Sequence, residues 1–294
     1  MVKVLIPSGA LGLGYDRAAL ARGIAQKPDI IAIDGGSTDS GPHYLGTGTS
    51  KYSRNSTKAE WRELMAARAE AGVPLVIGTA GTCGADDAVD WLVEITREIA
   101  AETGESLRLA VLKSGQDNQT MVAALRAGRI TPLPAAPEIS DTLLLECTNI
   151  VALAGAEQIQ EALNTGADII IAGRTTDTAI ISALPLARGC HAGGCWHGAK
   201  IGECGALATT SPNSGTIMIA FDAEGFTMTP MGAEARATPR TVSAHMLYEN
   251  SDPHILYEPG GHLDVRGATY TALNDREVRV TGSEWIVSDR YTVK

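Results

Sequence analysis

From the first residue to about residue 210, short runs of Val, Ile and Leu with almost no polar alternation recur between helix-length amphipathic stretches, and this pattern is the strongest constraint on the fold. The apolar runs lie at 2–7, 29–34, 74–78, 107–112, 149–154 and 168–172, and helices are predicted between them at 15–26, 57–71, 85–103, 117–127, 156–164 and 176–187. A strand that is apolar on both sides must be covered on both faces, which is the environment of parallel strands joined by right-handed helical crossovers. The expected fold class is therefore α/β: a layered, doubly wound, mostly parallel sheet with helices on both faces. Pro132, Pro134 and Pro137 interrupt the alternation across 129–140, which is read as a crossover placed where the sheet changes direction.

Beyond residue 210 the pattern changes, and a smaller α+β C-terminal region is expected over 211–294. Runs at 216–221 and 226–230 flank Asp222-Ala-Glu-Gly225 as a hairpin, a helix is predicted over 239–249, and strands follow near 268–273 and 278–281. The run 290–294 reads as one more strand with no element to end it, so the chain is expected to be a piece of a longer protein. Residues 28–39 and 167–177 share an apolar strand ending in Gly-x-[Ser/Thr]-Thr-Asp, left either by an internal duplication of residues 1–210 or by one loop pattern arising twice.

The chain of 294 residues carries 24 basic and 34 acidic side chains, a balance of −10 that gives no general attraction to nucleic acid or to anionic membrane. No apolar run is long enough to span a bilayer, and the first residues lack a signal-peptide pattern. Five cysteines, an odd and scattered set, are poor material for a disulfide framework, so a cytoplasmic location is expected. With 32 glycines and only 4% aromatics, shaped loops for a small molecule are favoured over stacking platforms for bases.

Ligands of open α/β sheets bind beyond the carboxyl ends of the strands. Here the corresponding segments are 8–14, 34–44, 78–84, 113–118 and 173–177, all rich in Gly, Ser, Thr and Asp. Thr79, Gly81 and Thr82 precede a helix whose N-terminal amides can hold a carboxylate or phosphate. Arg174 can grip a carboxylate in a two-pronged pair, and Lys113 adds a point charge. Together they favour a small anionic substrate, lined also by Ser37, Thr38, Asp39, Tyr44, Thr175 and Asp177. Asp34 and His43 are the acid–base candidates at this rim, with Asp39 and Asp177 as further candidates that can instead cap turns or helices.

The segment 189–204 packs three Cys, two His and one Glu into a stretch read as a flexible active-site loop. Glu203 is its acid or base, and Cys204 is either a nucleophile or a buried small residue. Cys83, beside a helix start, is a second thiol whose pKa a helix N-terminus can lower. Cys190, His191, Cys195 and His197 are ligand types for zinc or a soft metal, but their C-H-x3-C-x-H spacing is not a structural zinc pattern. No cofactor is strongly implied, and a divalent metal remains an alternative. A nicotinamide cofactor is a minor alternative: Asp34 stands 20 residues after Gly14, but the turn runs Gly9-x-x-Gly12-x-Gly14 rather than G-x-G-x-x-G.

The runs at 33–46, 73–82, 171–177, 202–204, 246–253 and 258–264 together resemble the acyclic terpene utilisation AtuA-like family. That resemblance implies catabolism of acyclic terpenes through carboxylic acids and CoA esters, and members that extend further or accompany a small extra domain or chain. The resulting expectation is a lyase or hydratase acting on a small carboxylate or its CoA thioester, as a homo-oligomer. Arg174 and the 79–84 amides would hold the anion, and Asp34, His43 or Glu203 would move the proton. The rival expectation is a non-catalytic ligand-binding or scaffold subunit that needs a partner chain.

Overall fold

Five of the six apolar runs form strands of one sheet in the computed structural model, which describes residues 1–36, 40–133, 136–213 and 215–288. The order is β1 (Val2–Ile6), α1 (Arg17–Ala25), β2 (Ile30–Asp34), α2 (His43–Thr47), α3 (Arg54–Ala71), β3 (Leu75–Gly78), α4 (Asp86–Thr103), β4 (Leu109–Leu112), α5 (Asn118–Arg126), α6 (Asp141–Glu146), α7 (Ala156–Asn164), β5 (Ile169–Ala172), α8 (Ala179–Ala187) and α9 (Ala192–Gly202). There follow β6 (Ile217–Phe221), β7 (Gly225–Pro230), α10 (Pro239–His245), β8 (Ile255–Glu258), β9 (Gly261–Asp264), β10 (Thr269–Ala272), β11 (Val278–Thr281) and β12 (Glu284–Val287). Local chemistry sets many of the helix ends. The carboxylates of Asp16 and Asp117 and the Ser53 hydroxyl cap α1, α5 and α3, while Gly72 and Gly104 end α3 and α4 in the left-handed conformation.

Strands β1, β2, β3, β5 and β4 lie side by side in parallel. Successive residues of each strand face opposite layers. Leu5, Ile31, Ile33, Leu75, Ile77 and Ile171 pack with Leu20, Trp61, Leu64 and Leu92 of α1, α3 and α4. Val4, Ile6, Ile30, Ala32, Val76 and Ile170 pack with Ile159, Ile180 and Trp196 of α7, α8 and α9. Each such buried side chain contributes about 1.5–3 kcal/mol, which is why polar residues are few in these runs.

The change of pattern at residue 211 is a change from parallel to antiparallel pairing within that same sheet. β6 runs against β1 from Ile217↔Ile6 to Phe221↔Val2, and β7, β11 and β10 continue outward to give nine strands. The hairpin falls at the expected Asp222–Gly225 turn. β12, β9 and β8 make a separate three-stranded antiparallel sheet. No helix among the described residues is long and apolar enough to cross a membrane.

Three expectations change. The run 149–154 forms no ladder: Val151 and Ala154 make isolated bridges to Gly115 and Thr175, so the segment ties together the loops after β4 and β5 instead of entering the sheet. The segment 189–204 is not a loop but holds the buried helix α9. Its glycines allow close seating, since a Cβ on Gly194 would lie 2.6 Å from the Gly225 Cα and one on Gly198 2.5 Å from the Phe221 ring. The turn after β1 lacks the setting of a dinucleotide site, where the first strand stands between two parallel neighbours at the reversal of strand order. Here the outer neighbour of β1 is antiparallel β6. The run 290–294 lies outside the described residues.

Candidate active site

Asp34 ends β2, and the loops after β2, β3 and β5 are bonded to one another around it. Gly35 N–H donates to Gly78 at 2.8 Å, Thr82 N–H to Gly35 at 3.0 Å, Thr79 N–H to Gly173 at 2.8 Å and Ala80 N–H to Ala172 at 3.0 Å. Thr79 and Thr82 adopt φ of 47° and 76°, conformations that β-branched residues hold only where their surroundings enforce them. This corrects the expected anion cradle. The amides of Thr79 and Thr82 already serve protein carbonyls, and Gly81 turns tightly against Ala88. The loop instead positions Gly173-Arg174-Thr175; Thr175 is fully buried, its N–H 3.5 Å from the Thr79 hydroxyl.

Arg174 acts on Asp34 as a favourable neighbouring charge, yet its buried Nη1 has no hydrogen-bond partner. Asp34 is 6% exposed, accepts from Gly36 N–H through Oδ2 at 3.2 Å, and leaves Oδ1 buried without a partner. Burial first, and Asp177 second, hold its carboxyl well above the usual range despite Arg174 and the two amides.

Asp177 also connects electrostatically to a second group of buried charges. Glu203, just past the C-terminal end of α9, contacts the Lys200 ammonium one helical turn earlier. Burial raises the Glu203 carboxyl to about 8, with Asp177 and Glu258 adding to the effect and Lys200 opposing it. Burial works against the Lys200 charge, but Glu203 outweighs it and holds Lys200 above its ordinary value. Glu258, at the end of β8, accepts from the Thr178 hydroxyl at 2.5 Å, and its carboxyl is raised to about 7, chiefly by burial. Desolvated carboxyls that titrate near neutrality beside an ammonium can exchange protons with a bound acid or ester at working pH.

Of the residues singled out from sequence, Asp34, Arg174, Asp177 and Glu203 are linked electrostatically here, Asp177 acting on both Asp34 and Glu203. Cys204 adjoins them, but burial and Glu203 raise its thiol, against a nucleophilic role. Cys83 is likewise raised by burial rather than lowered. His43 is exposed at the start of α2, edge-on to Tyr44 at 5.2 Å, and Tyr44 packs against the cluster of Cys83, Ala85 and Ala88. Lys113 is held by Asp90 at 2.6 Å and by the Asp86 carbonyl at 3.1 Å. Ser37, Thr38 and Asp39 lie outside the described residues.

The four metal candidates have structural roles. His191 caps α9 by accepting from Gly194 N–H at 3.0 Å, and Cys195 is fully buried in the core. Cys190 Sγ lies 3.6 Å from the Phe221 carbonyl. His197 pairs with Ser283 at 2.7 Å and Tyr270 at 3.1 Å, burial lowering its pKa to about 3. Glu203, Cys204 and Glu249 do bring ligand atoms within 4.8 Å of one another, although any cation there competes with the Lys200 ammonium on Glu203.

Lys200, Glu258 and Thr178 were not singled out from sequence. Lys200 and Glu203 share a helical face at i, i+3, a signal that exists only once 192–202 is read as helix. Glu258 opens the run 258–264 that carries part of the family resemblance, but nothing in that run marks it as a site residue. A family model described as acyclic terpene utilisation family protein AtuA matches residues 45–286. No curated protein and no solved structure matches the chain.

Proposed function

This chain belongs to the acyclic terpene utilisation AtuA family, and from that membership we propose that it is a catabolic enzyme, a lyase or hydratase acting on a small carboxylate or its CoA thioester. The observation that carries the proposal is Arg174, which has an unbonded buried Nη1 and lies within electrostatic reach of Asp34 at the carboxyl ends of the strands. A guanidinium so placed anchors a carboxylate or polarises a thioester carbonyl. Glu203, raised to about 8, then handles the proton of the adjacent reacting centre at neutral pH. The role of the family in acyclic terpene utilisation supports reading such a step as part of the breakdown of terpene-derived acids.

The test is a thermal-shift panel of short carboxylates, hydroxycarboxylates, CoA and acyl-CoAs, followed by turnover with whichever ligands bind. A ligand at 100 times its Kd raises stability by about 2.7 kcal/mol, and Arg174→Ala should abolish the shift. Asp34→Asn and Glu203→Gln should each lower turnover about 100-fold with the fold intact. Full activity in both variants would overturn the proposal, and no shift with any ligand would favour a subunit that needs a partner chain.

A further inference from the structure

Glu258 reaches the site from the small three-stranded sheet rather than from the α/β layers. Its two oxygens are not equivalent. Oε1 is held by the Thr178 hydroxyl at 2.5 Å, and that hydroxyl lies 3.1 Å from the Thr176 hydroxyl, whereas Oε2 is buried with no hydrogen-bond partner. A buried carboxylate fixed through one oxygen, with the other oxygen unbonded, has the lone pair that a general base needs. Glu203 has the complementary setting, because the Lys200 ammonium in contact with it stabilises the carboxylate left once it gives up a proton. Both glutamates are buried and lie within electrostatic reach of each other, of Asp177 and of Lys200.

We propose that Glu258 is the base that takes a proton from carbon and Glu203 the acid that protonates the departing oxygen, which specifies the substrate as a 3-hydroxy acid or its thioester. This rests on the lyase or hydratase reading above. In the dehydration direction Glu258 removes the proton on C2, and the electron pair of that C–H bond becomes the C2–C3 double bond. The C3–O bond breaks, and the hydroxyl leaves as water with the Glu203 proton. Glu258 ends protonated and Glu203 ionised, and exchange with solvent restores both. Hydration is the same sequence reversed, with no oxidant or co-reactant.

Two probes separate the roles. Butyryl-CoA has the acidic C2 hydrogens but no hydroxyl to expel, and 3-hydroxybutyryl-CoA has both; the free acids run in parallel. Deuterium uptake at C2 in heavy water and loss of water are both followed by proton NMR. Glu258→Gln should slow C2 exchange and dehydration alike, each by about 100-fold, and Glu258→Asp should recover part of both. Glu203→Gln should slow dehydration about 100-fold while exchange into butyryl-CoA falls less than about ten-fold. Melting curves verify that each variant folds. Wild-type activity with Glu258→Gln unaffected, or equal loss of exchange in both Gln variants, overturns the assignment of Glu258 alone. A wild-type chain that neither exchanges nor dehydrates any of the four probes overturns this substrate class, while shifts with other carboxylates would leave the broader reading standing.

Discussion

Glu258 carries a stability signature that is separate from any turnover. Burial first, then Asp177, raises its folded carboxyl to about 7, against the Thr178 and Thr176 hydroxyls and the charge of Lys200. In the unfolded chain a glutamate titrates near about 4.3. Between those values the unfolded chain has lost the proton that the folded chain keeps, so stability falls as pH rises through this window and levels off above it. Glu258→Gln cannot ionise and lacks this fall. Relative to the variant, the wild type should therefore lose about 1–3 kcal/mol between pH 5 and pH 8, measured by denaturant melts. Glu203, raised to about 8, adds a fall of the same sign to both proteins, so the difference between them is the diagnostic quantity. A constant difference would mean that Glu258 ionises as it does in the unfolded chain. At this scale the strand-end rule was enough to find Asp34, Arg174 and Asp177, because each stands where a sheet delivers its ligand-facing residues, while Glu203 was found from the cluster of reactive side chains in 189–204. It could not find Glu258, whose place depends on a second sheet docking some eighty residues further along the chain.

Helix α9 is the element whose nature was hidden. Gly193, Gly194, Gly198 and Gly202 make 192–202 look like a loop, since each glycine costs a helix about 1 kcal/mol relative to alanine. The packing reverses that preference. The helix seats so closely on β6, β7 and β12 that added methyl groups would meet Gly225, Ser283 and Phe221. Trp196 stacks on Trp285 at 4.9 Å, and Lys200 and Glu203 are presented from its last turn. Gly194→Ala separates the two influences, because propensity alone predicts stabilisation while the 2.6 Å approach to the Gly225 Cα, a backbone atom with little room to move, predicts overpacking. The expected outcome is a net loss of about 1–3 kcal/mol and a lower Tm. A higher Tm would show that α9 does not sit against β7. The parallel strands were legible for the opposite reason: in β1, β2, β3 and β5 local composition and tertiary burial agree, so nearly all their Val, Ile and Leu side chains are also core side chains.

For the whole molecule, the joint between β1 and β6 decides whether the chain has separable parts. Composition suggests a boundary at residue 210, but strand order is invisible to local pattern, and these two strands are more than two hundred residues apart in sequence. Cutting the chain at 210 would strip β6 from β1 and leave Val4 and Ile6 at a sheet edge. It would also uncover the face of α9 that holds Trp285 and in which His197 pairs with Ser283 and Tyr270. An edge strand of that apolar character is an aggregation site, and the lost burial is comparable to the net stability of a whole domain. The fragment 1–210 should therefore be insoluble or bind hydrophobic dyes without a cooperative melt, while the full chain should unfold in one transition when followed by both far-ultraviolet circular dichroism and tryptophan fluorescence. A fragment that melts cooperatively would show that residues 211–294 add to a finished fold. Failure of the fragment would instead show that the C-terminal strands complete the sheet that holds Asp34 and Arg174 in place.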